Sequence, residues 1–337
     1  MNENKRTVRF GIVGCGIIAE LHAEAIRACP HAELAAVIDI DPERSRSFAE
    51  KHGIPHAFSD LGDMLSLPEI DVVSICTPSG LHGDAAIQAA RSGKHVLCEK
   101  PLEITPEKMT AMIEACRNAG VKLGCVYQRR ALSVPKAVKR VIEEGKLGKL
   151  VLGDAYLKYY RSQAYYDSAG WRGTWALDGG GALMNQGVHG VDMIQWLCGG
   201  IQKVYGRTAA LSRNIEVEDT AVAVVEFRNG AFGVIEGATT VYPERSTRFE
   251  IHGELGTVVF DDNGIQEWHV PGEETPPAKD DPIEGVRSYG HYLFIEDMAL
   301  AVLEDREPMV PGEEARKAVD IILAIYESSS SKREVIL

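Results

Sequence analysis

The 337-residue chain has no C-x-x-C spacing, no long apolar run and no excess of basic charge, and each absence excludes a class of protein. Its seven cysteines (Cys15, Cys29, Cys76, Cys98, Cys116, Cys125 and Cys198) are odd in number and scattered. That argues against a disulfide framework or zinc cluster and for reduced thiols. No stretch approaches the roughly 18 apolar residues of a membrane span. With 36 basic against 49 acidic residues the formal charge is −13, which argues against nucleic acid or an anionic membrane as partner. A pocket's local field can still oppose that charge. Neither an internal repeat nor a low-complexity tract is present. What remains, 45% hydrophobic and 25% charged residues, reads as a soluble globular chain long enough for two domains. Lys5, Arg6 and Arg9 before the apolar Phe10–Ala19 imitate a signal peptide. Gly11, Gly14 and Gly16 interrupt that stretch and Glu20 and Glu24 follow it, so a first strand with a glycine turn, and a cytoplasmic location, are expected.

Residues 1–126 alternate short apolar runs (Val8–Val13, Leu34–Ile38, Val72–Cys76, His95–Cys98, Leu123–Val126) with helical patterns (Ile17–Ala28, Pro42–His52, Asp84–Ser92, Thr105–Ala119). Strands separated by helices of this length imply βαβ crossovers and a doubly wound parallel sheet. From residue 127 onward the pattern changes. After an amphipathic helix at Val134–Glu144 come alternating strands at Leu150–Lys158, Thr220–Phe227, Ala231–Thr240, Arg248–His252, Val258–Phe260 and Ile265–Val270. Asn229-Gly230 and Asn263-Gly264 are hairpin turns, so residues 127–337 are expected to form an α+β domain with a large, open, mainly antiparallel sheet. Pro271–Pro282 reads as an acidic loop, and helices at Tyr289–Glu304 and Glu313–Ser328 close the chain.

Four motifs carry chemistry. Gly14-x-Gly16-x-x-Ala19, after the first strand and opening a helix, lets backbone N–H groups of Gly16, Ile17 and Ile18 approach a pyrophosphate. Asp39, 23 residues beyond Gly16, can accept hydrogen bonds from ribose hydroxyls and repel a 2′-phosphate. Its alternative role is a helix cap before Pro42, for which Asp41 is better placed. Ile40 follows where an arginine could have neutralised a phosphate, so NAD is expected rather than NADP. The second motif is Cys76-Thr77-Pro78 with His82, which would line the nicotinamide ribose or form a plain strand-to-helix turn. The third, Glu99-Lys100-Pro101, places a lysine at a strand end, where desolvation and a nearby cation would tune it for proton transfer. The fourth runs from Asp178 to Asp192. If Ala182–Leu197 is one α-helix, Asn185, His189, Asp192 and Trp196 share a face too polar for pure core packing. No metal is expected, because Asn185 is a poor zinc ligand and no H-E-x-x-H accompanies it.

In this order the motifs resemble those of the Gfo/Idh/MocA oxidoreductases, NAD(P)-dependent enzymes of sugars, sugar nucleotides and cyclitols. The resemblance implies an N-terminal NAD-binding Rossmann domain and a C-terminal substrate-binding and oligomerisation domain, commonly forming homodimers or homotetramers through the open sheet. It implies Lys100 as the catalytic lysine and Asn185 and His189 as the helix pair. Asn185 stands where many inositol dehydrogenases carry aspartate, so it is expected to hold a substrate hydroxyl, leaving Lys100 and His189 for proton transfer. Arg129 and Arg172 would orient the ring. The segment Tyr159–Trp175, with Arg161, Tyr165, Tyr166, Trp171 and Arg172, looks like that of members acting on nucleotide-linked amino sugars or free sugars. Aromatic faces and arginines there suit carbohydrate rings and carboxylates or phosphates. The expected activity is hydride transfer between a nicotinamide and a secondary alcohol. The rivals are an NAD-retaining epimerase or glycoside-cleaving relative and a non-catalytic NAD(H) sensor.

Overall fold

The computed structural model describes residues 6–281 and 283–337; Lys5 and Pro282 therefore lie outside the described residues. The chain divides into two compact units, residues 1–128 with 281–316, and residues 129–280 with 317–337.

Unit 1 holds the strands β1 (Val8–Val13), β2 (Ala32–Ile38), β3 (His56–Phe58), β4 (Val72–Ile75), β5 (His95–Cys98) and β6 (Leu123–Cys125). They form one parallel sheet in the order β3-β2-β1-β4-β5-β6, the doubly wound order that opens a ligand crevice where the strand order reverses. Its helices are α1 (Ile17–Ala28), α2 (Pro42–His52), α3 (Leu61–Leu65), α4 (His82–Arg91) and α5 (Pro106–Ala119). Thr105 and Asp41 cap α5 and α2 through side-chain bonds to backbone N–H groups. β3 and α3 were not legible in the sequence: each is five residues or fewer, too short for a period.

Unit 2 begins with α6 (Ser133–Glu143), β7 (Leu150–Lys158) and α7 (Gln163–Asp167), followed by a π-helical turn Ala182–Gly187 and α8 (Val188–Leu197). The strands β8 (Ile201–Ala209), β9 (Thr220–Phe227), β10 (Phe232–Ala238), β11 (Arg248–Gly253), β12 (Thr257–Asp261) and β13 (Gly264–His269) follow. Together with β14 (Val335–Ile336) they build an eight-stranded sheet in the order β13-β12-β11-β7-β10-β9-β8-β14. Every pairing is antiparallel except β7 with β10. Both Asn-Gly turns join antiparallel neighbours, β9 to β10 and β12 to β13.

Helix α9 (Tyr289–Leu303), which follows the second sheet in sequence, belongs to unit 1, and α10 (Gly312–Ser331) spans the division at Arg316. Its return has a local cause. Arg287 pairs with Glu24 of α1 at 2.7 Å and His291 reaches Glu99, so the helix packs beside α1. The segment expected as an acidic loop is irregular but anchored at both ends. Glu273 pairs with Arg140 and Lys146, whose hydrogen bonds hold its carboxyl down at about 2, and Asp280 accepts from Ser133.

Candidate active site

At the glycine turn, Gly14 takes φ +93°, and a Cβ there would stand 2.9 Å from the carbonyl oxygen of Cys76. The turn therefore lies hard against the end of β4, and only glycine fits. A Cβ on Gly16 would meet nothing within 4 Å, which leaves open space at the N-terminus of α1. Asp39 is buried at the end of β2. Its Oδ2 accepts from Cys15 N at 2.9 Å and its Oδ1 from Asp41 N at 3.0 Å. The helix cap falls on Asp41, as the sequence suggested, and not on Asp39. Ile17 and Ile40 are 79% and 90% exposed. Arg44, which the sequence reading missed, comes within 3.4 Å of Asp39 and 3.8 Å of Asp41.

The remaining unit 1 candidates gather on the turns after β4 and β5. Thr77 and Pro78 are half-buried, and Thr77 Oγ1 is buried with no hydrogen-bond partner among the described residues. His82 is not the exposed residue of a plain turn. It is 1% exposed, its Nδ1 2.8 Å from the Pro101 carbonyl and its Nε2 3.0 Å from that of Thr77. It thereby ties the two turns together. Lys100 is half-buried directly beyond the buried Glu99. An open helix N-terminus, a buried ribose-height carboxylate and an orphaned threonine hydroxyl fit a dinucleotide: Gly16, Ile17 and Ile18 would hold the pyrophosphate, Asp39 the ribose and Thr77 the nicotinamide side.

In unit 2 one expectation is corrected. Ala182–Leu197 is not a single α-helix: the first six residues form a π-turn, and α-geometry starts only at Val188. A Cβ on Gly187 would sit 2.7 Å from the Ala182 carbonyl oxygen, so the wider turn needs glycine where its two ends close. Glu218 secures the entrance, its carboxylate accepting from Gly181 N at 2.9 Å, Leu183 N at 2.8 Å and Tyr326 Oη at 2.8 Å. Burial pushes the Glu218 carboxyl up, and these bonds only partly offset it. Nor do the four polar residues form one working face. Asp192 is buried in a two-bond pair with Arg130 at 2.5 and 2.7 Å, and the Arg130 guanidinium lies 5.1 Å from the Trp196 ring. Asn185 lies in the π-turn and His189 in the first turn of α8.

Asn185 donates to Asp178 and accepts from Gln186 at 2.7 Å, and Gln186 in turn accepts from Arg161. The Arg172 guanidinium stacks 4.3 Å from the Tyr165 centroid and 5.3 Å from that of Trp171. Arg129, by contrast, is engaged by Asp262 at 3.0 Å and by Thr247 at 3.1 Å. Sequence reasoning missed His22, Glu218, Arg213 and His291. His22 had a signal: it shares the buried stripe of α1 with Ala19, Ala23 and Ile26, where a polar residue needs a partner.

The fold and the glycine turn define a dinucleotide-binding protein. Residues 8–127 match the family model described as "Oxidoreductase family, NAD-binding Rossmann fold", and residues 136–259 match the "GFO/IDH/MocA C-terminal domain". The chain is similar in structure to the WlbA dehydrogenase from Bordetella pertussis, solved with NADH and UDP-GlcNAcA. That match has a TM-score of 0.91 and 36% identity, covering 100% of this chain and 99% of that one. It is 31% identical to an uncharacterised oxidoreductase, YrbE, of Bacillus subtilis, over 75% of this chain and 73% of the relative. It is 28% identical to the myo-inositol 2-dehydrogenase of Thermotoga maritima, over 97% and 98%. The chain belongs to the Gfo/Idh/MocA family of NAD-binding oxidoreductases. Among the described residues no helix is long and apolar enough to cross a membrane.

Proposed function

We propose that the protein is an NAD-dependent dehydrogenase of an anionic sugar, in the first place a nucleotide-linked uronic acid such as UDP-GlcNAcA. One observation carries the choice. In a chain of net charge −13, Arg172 and Arg213 stack on tyrosines and bond only hydroxyls and carbonyls, and among the described residues neither guanidinium pairs with a carboxylate. Two uncompensated arginines beside Tyr160, Tyr165 and Trp171 suit a carboxylate or phosphate on a ring. An inositol offers them no charge.

When bound, NAD supplies the hydride acceptor at nicotinamide C4. Asp39 and the glycine turn hold the adenosine and pyrophosphate. The unprotonated amine of Lys100 takes the hydroxyl proton as the carbinol C–H bond breaks, and returns it to the ketone in the reverse direction. His189 serves as the second proton-transfer group, and Asn185, fixed by Asp178, orients the ring. Asp39 and Asp41 outnumber Arg44, so the ribose end disfavours a 2′-phosphate. The exposed face of the second sheet supports a homodimer or homotetramer.

The test is incubation with NAD and, separately, UDP-GlcNAcA, myo-inositol and UDP-GlcNAc, following reduced nicotinamide. Reduction with UDP-GlcNAcA alone, with KM raised in Arg172→Gln, is expected; reduction with inositol alone sinks the reading. Lys100→Met should lower single-turnover hydride transfer by about 10²–10⁴-fold with NAD affinity retained.

A further inference from the structure

Beside Lys100, unit 1 contains a chain of five side chains, four buried and one half-buried, that the chemistry above does not use. Glu99 Oε1 accepts from His22 Nε2 at 2.8 Å and from His291 Nε2 at 3.1 Å. The far ring nitrogens each meet a serine: Ser74 Oγ lies 2.7 Å from His22 Nδ1, and Ser288 Oγ 2.6 Å from His291 Nδ1. The second carboxylate oxygen, Oε2, accepts the backbone N–H of Lys100 at 3.1 Å. His22, Glu99 and His291 are each at most 4% exposed. Every contact is satisfied if the hydroxyls donate to Nδ1 and each Nε2–H donates to the carboxylate.

Burial alone would raise the Glu99 carboxyl, but the two imidazole donors outweigh it and hold it well below the carboxylate range. Burial pushes His22 down against the pull of that charge. The nearby thiols of Cys76 and Cys98 are pushed well up, first by burial and then in part by Glu99, while Cys125 Sγ contacts the Glu99 carbonyl at 3.8 Å. The ligand atoms of His22, Glu99 and His291 lie within 4.8 Å of one another, close enough for a metal ion. Yet both nitrogens of each ring and both carboxylate oxygens already have protein partners, which favours a hydrogen-bonded chain over an ion.

The residues come from α1, β4, the end of β5 and the start of α9, so a charge-assisted contact joins the helix of the glycine turn to the turn carrying the lysine. We propose that Glu99 is a positioning residue for Lys100: held by His22 and His291, its carboxylate fixes the Glu99–Lys100 turn against α1 and so sets where the lysine amine stands. This rests on Lys100 being the proton acceptor.

The test uses Glu99→Gln, Lys100→Met, their combination and the milder Ser288→Ala, in the full chain. With UDP-GlcNAcA and NAD, Glu99→Gln should lower single-turnover hydride transfer about tenfold, while having no further effect in the Lys100→Met background. Equal losses in both backgrounds overturn the proposal. Lysine amines labelled by reductive ¹³C-methylation, with Lys100 assigned by its absence in Lys100→Met, supply a readout without substrate. The Lys100 titration midpoint should move in Glu99→Gln and move less in Ser288→Ala; an unchanged midpoint in folded Glu99→Gln overturns it. Stoichiometric zinc in the purified protein, lost in Glu99→Gln, would also overturn it by making the trio a metal centre. Intact hydride transfer in Lys100→Met defeats the proton-acceptor reading instead, whatever the midpoint does.

Discussion

Asp39 divides one carboxylate between the N–H groups of Cys15 and Asp41 and the guanidinium of Arg44. The backbone bonds fix its direction, and Asp41 adds a second negative charge beside it. A 2′-phosphate would meet two carboxylates and one arginine. Asp39→Ser removes one of the carboxylates and frees Arg44, so the ratio of kcat/KM for NAD over NADP should fall, with most of the change in NADP. Steady-state kinetics with both cofactors decide the matter, and a wild type that favours NADP would contradict the argument. The same residue scale explains why Ile40, and not Arg44, attracted notice in the sequence. Ile40 follows Asp39 directly, whereas Arg44 reaches back only because α2 turns it toward the strand end.

The element that presents Asn185 and His189 is a helix with a defect at its start. A π-turn widens the first six residues, and α8 is then oriented by the Arg130–Asp192 pair, both residues at most 4% exposed. Removing one partner of such a pair strands a buried charge, which typically costs about 3–5 kcal/mol. Arg130→Met should therefore lower the urea midpoint strongly, and Arg130→Met combined with Asp192→Leu should recover much of the loss. A single variant as stable as the wild type would show that α8 is held by its packing alone. The Glu99 chain makes a second prediction at this scale. His22 and Glu99 both titrate lower in the folded protein than ordinarily, so the unfolded chain binds their protons first on acidification. Stability should be full above the ordinary histidine value of 6.5 and fall as pH drops through it, falling again below the ordinary glutamate value of 4.5. Urea unfolding against pH measures this, and His22→Gln should weaken both stages: it removes one of the histidines that burial holds low, His52 and His95 being others, and one of the two donors that hold Glu99 low.

At the scale of the whole molecule, one face of the second sheet gathers exposed apolar residues. Val222 and Val224 of β9, Tyr205 of β8, Phe232 of β10 and Leu152 of β7 are all exposed. Register places Tyr205 and Val234 on either side of Val224, and Phe232 beside Leu152, so the residues form a continuous patch. The opposite face is covered within unit 2 by β7 contacts to α8 and by α10, where Ile325 lies against Gly206. A patch of this kind commonly marks an interface, and a two-fold contact would bury it on both copies. Val224→Lys should convert the oligomer to a monomer in light scattering; a wild-type monomer at micromolar concentration would refute the assembly.

Short-range chemistry made much of this protein legible from its sequence. The glycine turn, Asp39, the caps at Asp41 and Thr105 and the two Asn-Gly hairpins depend on residues a few positions apart, and all occupy the elements expected of them. The lysine motif is likewise local. Only tertiary structure decided what depends on distant partners. Glu99 and His291 lie 192 residues apart, and no period in the chain announces their contact. The return of α9 to unit 1 follows from ion pairs and packing with α1 that can be seen only once both helices stand. The π-turn is invisible to a 3.6-residue pattern because it arises where Glu218 grips two N–H groups at the helix entrance. The parallel pairing of β7 with β10 has the same origin: hairpin turns specify neighbours in sequence, and strands far apart pair wherever burial brings their apolar faces together.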